Sequence, residues 1–174
     1  MSNISNDSAL NADGRFGRLS YLGWNGLLLF VVMTLGILSA VLLPGFVPEP
    51  SQGMPLFPML LLGIVYIAMI YFSFIFAIRR LHDLNKSGWL SLLMLIPLVN
   101  LGLAVYLTFA KGDEHENQFG LPRITKTWEK VLAWFYVLIF PLGILTAIAV
   151  PAYQDYVQRA QVAQMEIPQT VQNH

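Results

Sequence analysis

The amino-acid sequence predicts an all-α membrane protein: a polytopic helix bundle with three full spans plus a re-entrant hairpin, or with four full spans. Three observations lead there. The chain is 56% hydrophobic and only 11% charged, against roughly 25% charged for soluble proteins. The charges are segregated, with no Lys, Arg, Asp or Glu in 19–48, 50–78, 87–110 or 131–154. Each window supplies the ~20 apolar residues needed to cross a hydrocarbon core about 30 Å thick, and four helices apolar on every side have no face to turn to water.

The elements follow in order. Residues 1–14 are polar, carry Asp7 and Asp13 and no basic residue, and read as a disordered tail. A cleaved secretory signal needs a basic start and a short apolar core, so the first apolar window reads as a retained span, about Ser20 to Leu43, with Trp24 as its interfacial anchor. Pro44, Pro48, Pro50 and Pro55 then make an exposed turn, because such density cannot continue a helix. The second span covers about Leu56 to Ile78, and a polar link, Arg79 to Lys86, leads to a third apolar segment, Gly88 to Ala110. Pro97, Asn100 and Gly102 near its midpoint give it the means to turn back. A mixed-charge link, Lys111 to Lys130, precedes the last span, about Val131 to Tyr153, and a polar tail to His174. The predicted organisation is a tail over 1–14, a membrane domain over 15–125, and a membrane helix with a short polar tail over 126–174.

Orientation follows from Lys and Arg beside the spans. Arg15 and Arg18 precede the first, Arg79, Arg80 and Lys86 follow the second, and the loop between has none, so the N-terminus is expected in the cytoplasm. If segment 88–110 spans, six basic residues lie inside and four outside. If it re-enters, nine lie inside and only Arg159 outside. Pro97 as a mere kink in a full span remains the competing form.

Little in the chain points to chemistry. Zero net charge gives no field to attract nucleic acid, and the absence of cysteine removes thiolate catalysis, disulfides and thiolate metal sites. The apolar windows contain no ionisable residue, the usual mark of pumps, coupled transporters and intramembrane catalysts. No catalytic residue, cofactor or metal is expected, and the chain reads as no enzyme. Arg79, Arg80, His82 and Asp83 form the one polar constellation at a membrane boundary, with Arg79, Arg80 and His82 as candidate contacts for a phosphate or an anionic lipid headgroup and a general acid–base pair as the other functional reading. Their structural reading is topogenic arginines at a helix end, with Asp83 pairing Arg79 across one turn. His115 among Asp113, Glu114 and Glu116 lacks a helical histidine pair, which makes a metal site weak. Asn25 and Asn100 are expected to bond between helices, Gly36 and Ala40 to pack inside the bundle, and Gly143 and Ala147 to contact another helix.

Two ordered sets of motifs resemble known families. Gly17-Arg18-Leu19-Ser20, Arg79-Arg80-Leu81-His82-Asp83, Ser87-Gly88-Trp89, Ile96-Pro97-Leu98 and Glu116-Asn117-Gln118-Phe119-Gly120 resemble the YhaH-like bacterial inner-membrane family, a domain of unknown function, with Gln118 standing where that family has a basic residue. The resemblance implies a bacterial cytoplasmic membrane and no reaction.

Gly143-Ile144-Leu145-Thr146-Ala147-Ile148-Ala149-Val150-Pro151-Ala152-Tyr153-Gln154-Asp155-Tyr156, then Arg159-Ala160-Gln161, resembles the N-terminal membrane helix of type IV pilins. The departures are Glu129 for the glycine before the prepilin cleavage point, Lys130 for the new N-terminal aromatic, and Trp134 for the buried glutamate. Only 18 residues follow Tyr156, too few for a globular head. The resemblance therefore implies an uncleaved imitation of the helix. It makes the chain an expected accessory protein of type IV pilus biogenesis, with pilin or the assembly platform as partner beside the lipid bilayer. Gly143, Ala147, Val150, Pro151 and Tyr153 are the expected contact residues. The alternative is a small membrane protein that binds headgroups or a solute, unrelated to pili.

Overall fold

The computed structural model describes residues 11–42 and 56–171. The first ten residues of the expected disordered tail and the Pro-rich turn lie outside the described residues. Among the described residues four α-helices and one 3-10 helix account for the regular structure: α1 (Arg18–Leu42), α2 (Leu56–Asp83), the 3-10 helix (Gly88–Leu95), α3 (Pro97–Phe109) and α4 (Thr127–Val171). Among the described residues there is no strand, only an isolated bridge between Asn117 and Gly120. The all-α expectation holds. Three helices, α1, α2 and α4, are long and apolar enough to cross a membrane, and the chain is a multi-pass membrane protein.

Residues 88–110 do not form a fourth long helix. The chain breaks at Ile96, which is extended (φ −101°, ψ 109°), because the ring of a following proline crowds the helical conformation of the residue before it. Pro97 then opens α3 at its first turn, where its missing N–H costs nothing. The two limbs meet the same end of α2. Ser87 follows Asp83 by four residues, and beyond α3 the Asp113 amide donates to the Asp83 carbonyl at 2.8 Å. The segment thus goes in and comes back, the re-entrant form of the two predicted. Leu103 and Leu107 on the returning limb close a core with Ala77 and Leu81 of α2 and with Leu84 just beyond it. The break itself stays open, with Ile96 50% exposed, while the returning limb is anchored through those two leucines.

The end of α2 is a well-formed helix stop. Asn85 takes a positive φ of 54°, Lys86 N–H donates to the Leu81 carbonyl at 2.9 Å and Asn85 N–H to the His82 carbonyl at 3.0 Å. This is the Schellman arrangement, with asparagine in place of the commoner glycine. The predicted link Arg79 to Lys86 is therefore helical through Asp83, and its charged residues belong to the helix.

α1 and the start of α4 are pressed together at backbone distance. A Cβ on Gly23 would strike the Glu129 backbone, and one on Gly26 would stand 2.9 Å from the Leu132 carbonyl oxygen and 3.2 Å from Tyr136 Cβ. Small residues at three-residue spacing thus supply the close contact that helices in lipid need. Gly36, the expected internal contact, has nothing within 4 Å, and the side chain of Ala40 lies outside the description. Asn25 likewise bonds within its own helix, Nδ2 donating to the Tyr21 carbonyl at 2.8 Å, rather than to a neighbour.

The chain divides into two units, residues 1–136 and 137–174. The first contains the bundle and the opening turns of α4. The second is the remainder of α4, which continues as helix beyond the expected end of the apolar span at Tyr153 to Val171, so most of the predicted polar tail is helical.

Candidate functional site

The Arg-Arg-Leu-His-Asp stretch ends α2, and its five side chains go to different places. Leu81 enters the core. The Arg79 guanidinium lies over the Phe16 ring, 3.9 Å from its centroid, a cation–π contact, while the Arg79 carbonyl accepts from Phe16 N–H at 2.9 Å. Arg80 donates through Nε to the Leu107 carbonyl at 2.8 Å, through Nη1 to the Phe16 carbonyl at 3.3 Å and to Asp83, and through Nη2 to the Ala110 carbonyl. A guanidinium offers five fixed donors, and here they tie the end of α3 and the approach to α1 onto α2.

Asp83 is the shared anion. Besides Arg80 it takes Arg15, whose Nε and Nη2 donate to Oδ1 at 3.3 and 3.2 Å. Arg15 also donates to the carbonyls of His115 at 2.8 Å and Gly120 at 2.9 Å and to that of Asp113. Exposure is 1% for Arg15, 0% for Arg80 and 5% for Asp83. The sequence pairs Asp83 with Arg79, one turn back; the structure pairs it with Arg80 and Arg15, because Arg79 is turned to Phe16. Gly112 is packed so closely on Asp83 that a Cβ there would collide with the carboxylate.

A second buried anion, Glu129, sits in the first turn of α4 at 0% exposure. Its carboxylate accepts from Arg123 through Nη1 at 2.8 Å and Nη2 at 2.6 Å, from Trp24 Nε1 at 3.0 Å and from Ser20 Oγ at 2.9 Å. It also accepts from the Lys126 amide at 3.1 Å, the carboxylate half of a capping box. Phe16 lies between the two anion centres, stacked with Trp24 at 6.1 Å, under Arg79 and 5.3 Å from Arg123.

His82 points the other way. Its ring stacks on Phe119 at 3.8 Å and 8°, and Nδ1 meets the Gly14 carbonyl at 3.3 Å. Phe119 is held by an Asn117 turn: Asn117 Oδ1 accepts the Phe119 amide at 2.9 Å and Asn117 Nδ2 donates to the His82 carbonyl at 2.9 Å. Gly14, in the expected disordered tail, is therefore placed. Beside this stack runs a groove of about 580 Å³, bordered by Phe74, Ile78, His82, Gly88, Leu92 and Phe119.

The three candidate headgroup residues thus separate. Arg79 and Arg80, 2% and 0% exposed, are turned to protein groups, and only His82 borders open space. His115 contributes its carbonyl to Arg15. Arg15, Arg123, Glu129, Ser20 and Trp24 were not marked as a site by the sequence, which placed Asp83 in the constellation with Arg79, Arg80 and His82. The usable signal was Glu129 two residues after the Thr127 helix start, with Lys126 as the cap, a capping spacing. Gly143, Ala147, Val150, Pro151 and Tyr153 lie together in the second unit on an exposed stretch, and a Cβ on Gly143 would meet nothing within 4 Å.

No curated protein and no solved structure matches the chain significantly. One family does match, over residues 9–121. That range holds nearly every motif just described and stops before Arg123, Glu129 and the pilin-like stretch. The chain belongs to the family described as protein of unknown function DUF805.

Proposed function

We propose that the chain is an accessory protein of type IV pilus biogenesis in a bacterial inner membrane, where the pilin-like stretch of α4 is presented to pilin or to the assembly platform. One observation carries this reading. Every described side chain from Val137 to Val162 is exposed except Val157, which is half-buried, and this is the stretch that resembles pilin. The small residues Gly143 and Ala147 lie on one face with Val150 and Pro151 a turn further on, open to a second helix. Glu129 gives a local reason for one departure from pilin: where a prepilin has its cleavable glycine, this chain has the buried anchor of α4.

Replacing Gly143 and Ala147 together by leucine should leave insertion intact, because hydrophobicity rises slightly, while holding an approaching backbone away. Helix association in lipid depends on that close approach, so cross-linking to pilin should fall, with altered surface piliation and unchanged protein level. Normal insertion with unchanged cross-linking and piliation would remove the pilus reading and leave headgroup or solute binding as the function.

Orientation is part of the proposal. Nine of the ten basic residues, all but Arg159, fall in the segments that converge on the Asp83 end of α2 or in the adjoining helix starts. By the positive-inside bias that end is cytoplasmic, and with three crossings the C-terminus is periplasmic. A reporter inserted near Arg123 should read cytoplasm and one fused after His174 periplasm. The opposite pair of readings would turn the pilin-like helix the wrong way round for pairing with pilin.

A further inference from the structure

We propose that the groove beside the re-entrant segment binds a phospholipid whose headgroup ends in a primary ammonium, with the acyl end along α2 and the headgroup at His82. The groove runs along α2 from Phe74 to His82, eight residues or about 12 Å of helix. It is therefore apolar at its membrane end (Phe74, Ile78, Leu92) and polar at the end where the helix meets the loops (His82, Ser87, Gln118). A gradient of this kind suits an amphiphile lying along the helix, and a lipid is what surrounds the groove.

The headgroup class follows from His82. Its Nδ1 faces the Gly14 carbonyl at 3.3 Å, and a carbonyl only accepts. Nδ1 is therefore assigned the proton, and in a neutral imidazole the other nitrogen, Nε2, is left as an acceptor. Nε2 lies on the groove side, 3.1 Å from where a Cβ on Gly88 would stand. Glycine at 88 keeps this space open: a side chain there would also meet Ile78 at 2.9 Å. An acceptor at the polar end asks for a donor, and the exposed ring of Trp89 adds the aromatic face that favours a cation. Exposed Lys86 stands one residue before Ser87, which lines the polar end of the groove. An acceptor nitrogen and an aromatic face together describe a cationic headgroup with N–H bonds. A quaternary ammonium lacks the donor, and a glycerol headgroup lacks the cation.

The test uses the full chain in nanodiscs made from phosphatidylethanolamine, phosphatidylcholine and phosphatidylglycerol with identical acyl chains, followed by release into detergent and mass spectrometry of retained lipid. A charge-assisted hydrogen bond predicts about tenfold preference for phosphatidylethanolamine over phosphatidylcholine. Leu92→Trp, at an exposed position, fills the groove and should abolish retention of all three. His82→Asn keeps a donor for the Gly14 carbonyl and removes Nε2, so retention should persist without the preference. The proposal fails if the wild-type chain shows no preference or prefers phosphatidylglycerol. It fails equally if Leu92→Trp retains lipid as before, or if His82→Asn still discriminates. A groove-filling tryptophan at Leu92 that leaves cross-linking to pilin unchanged keeps this result separate from the pilus reading.

Discussion

Asp83→Ala should be among the most destabilising single substitutions in the chain, costing about 3–5 kcal/mol. It leaves two guanidiniums, Arg15 and Arg80, buried at 1% and 0% exposure without the carboxylate they share. Removing one partner of a buried ion pair is costly because the remaining charge stays desolvated. Thermal unfolding in detergent should shift sharply down and membrane abundance should fall. Asp83→Asn, which keeps an acceptor oxygen, should lose less. The comparison is the Lys111–Glu114 pair at 2.7 Å, whose side chains are 71% and 67% exposed. The hydrogen bond from Lys111 holds the Glu114 carboxyl below its usual range, yet its removal should leave the melting curve unchanged, since solvent screens such pairs. Equal effects at the two sites would mean that Asp83 is not the hub described.

Glu129→Ala should be comparably severe, again about 3–5 kcal/mol, with a different symptom. The carboxylate gathers Arg123, Trp24, Ser20 and the Lys126 amide, so its loss releases the first turn of α4 from α1 and opens the close approach at Gly23 and Gly26. Limited proteolysis should then cut between residues 121 and 130 while the α2–α3 core remains protected. Glu129→Gln keeps an acceptor for Trp24 and should preserve most of the protection. A Glu129→Ala chain as resistant there as the wild type would overturn the anchoring role. The native chain has no cysteine, so cysteine pairs introduced across α1 and α4 offer an independent readout.

The spans were legible because each is a long run without charge, and the solvent alone dictates that pattern. The re-entrant break was legible because a single residue, Pro97, forces it, although the distortion falls on Ile96. The polar network was much harder to read. Arg15 meets Gly120 across 105 positions and Ser20 meets Glu129 across 109, and nothing local in a sequence pairs residues that far apart. Asp83 shows the same limit at short range: one-turn spacing favours Arg79, but the choice of Arg80 depends on where Phe16 lies. The glycine seam was missed for a narrower reason. Attention to four-residue spacing selected Gly36 and Ala40, whereas Gly23 and Gly26 are three apart. At the other end of the chain the sequence marks only where the apolar run stops, near Tyr153, and polarity does not end a helix: α4 runs on to Val171.

Arg15 also bears on the order in which the protein is made. Its donors are directed to Asp83, Asp113, His115 and Gly120, all of which leave the ribosome long after α1 has been delivered to the bilayer. Ser20 and Trp24 wait longer still, for Arg123 and Glu129. Until those residues are made, the polar groups at the start of α1 have only water and headgroups as partners. Domains built on such distant pairings close late. A chain stopped before residue 129 would carry three apolar segments and both core leucines of the returning limb, yet lack the carboxylate that fastens α1. The residue that fastens α1 thus heads the same helix as the segment that resembles pilin, and is made before it.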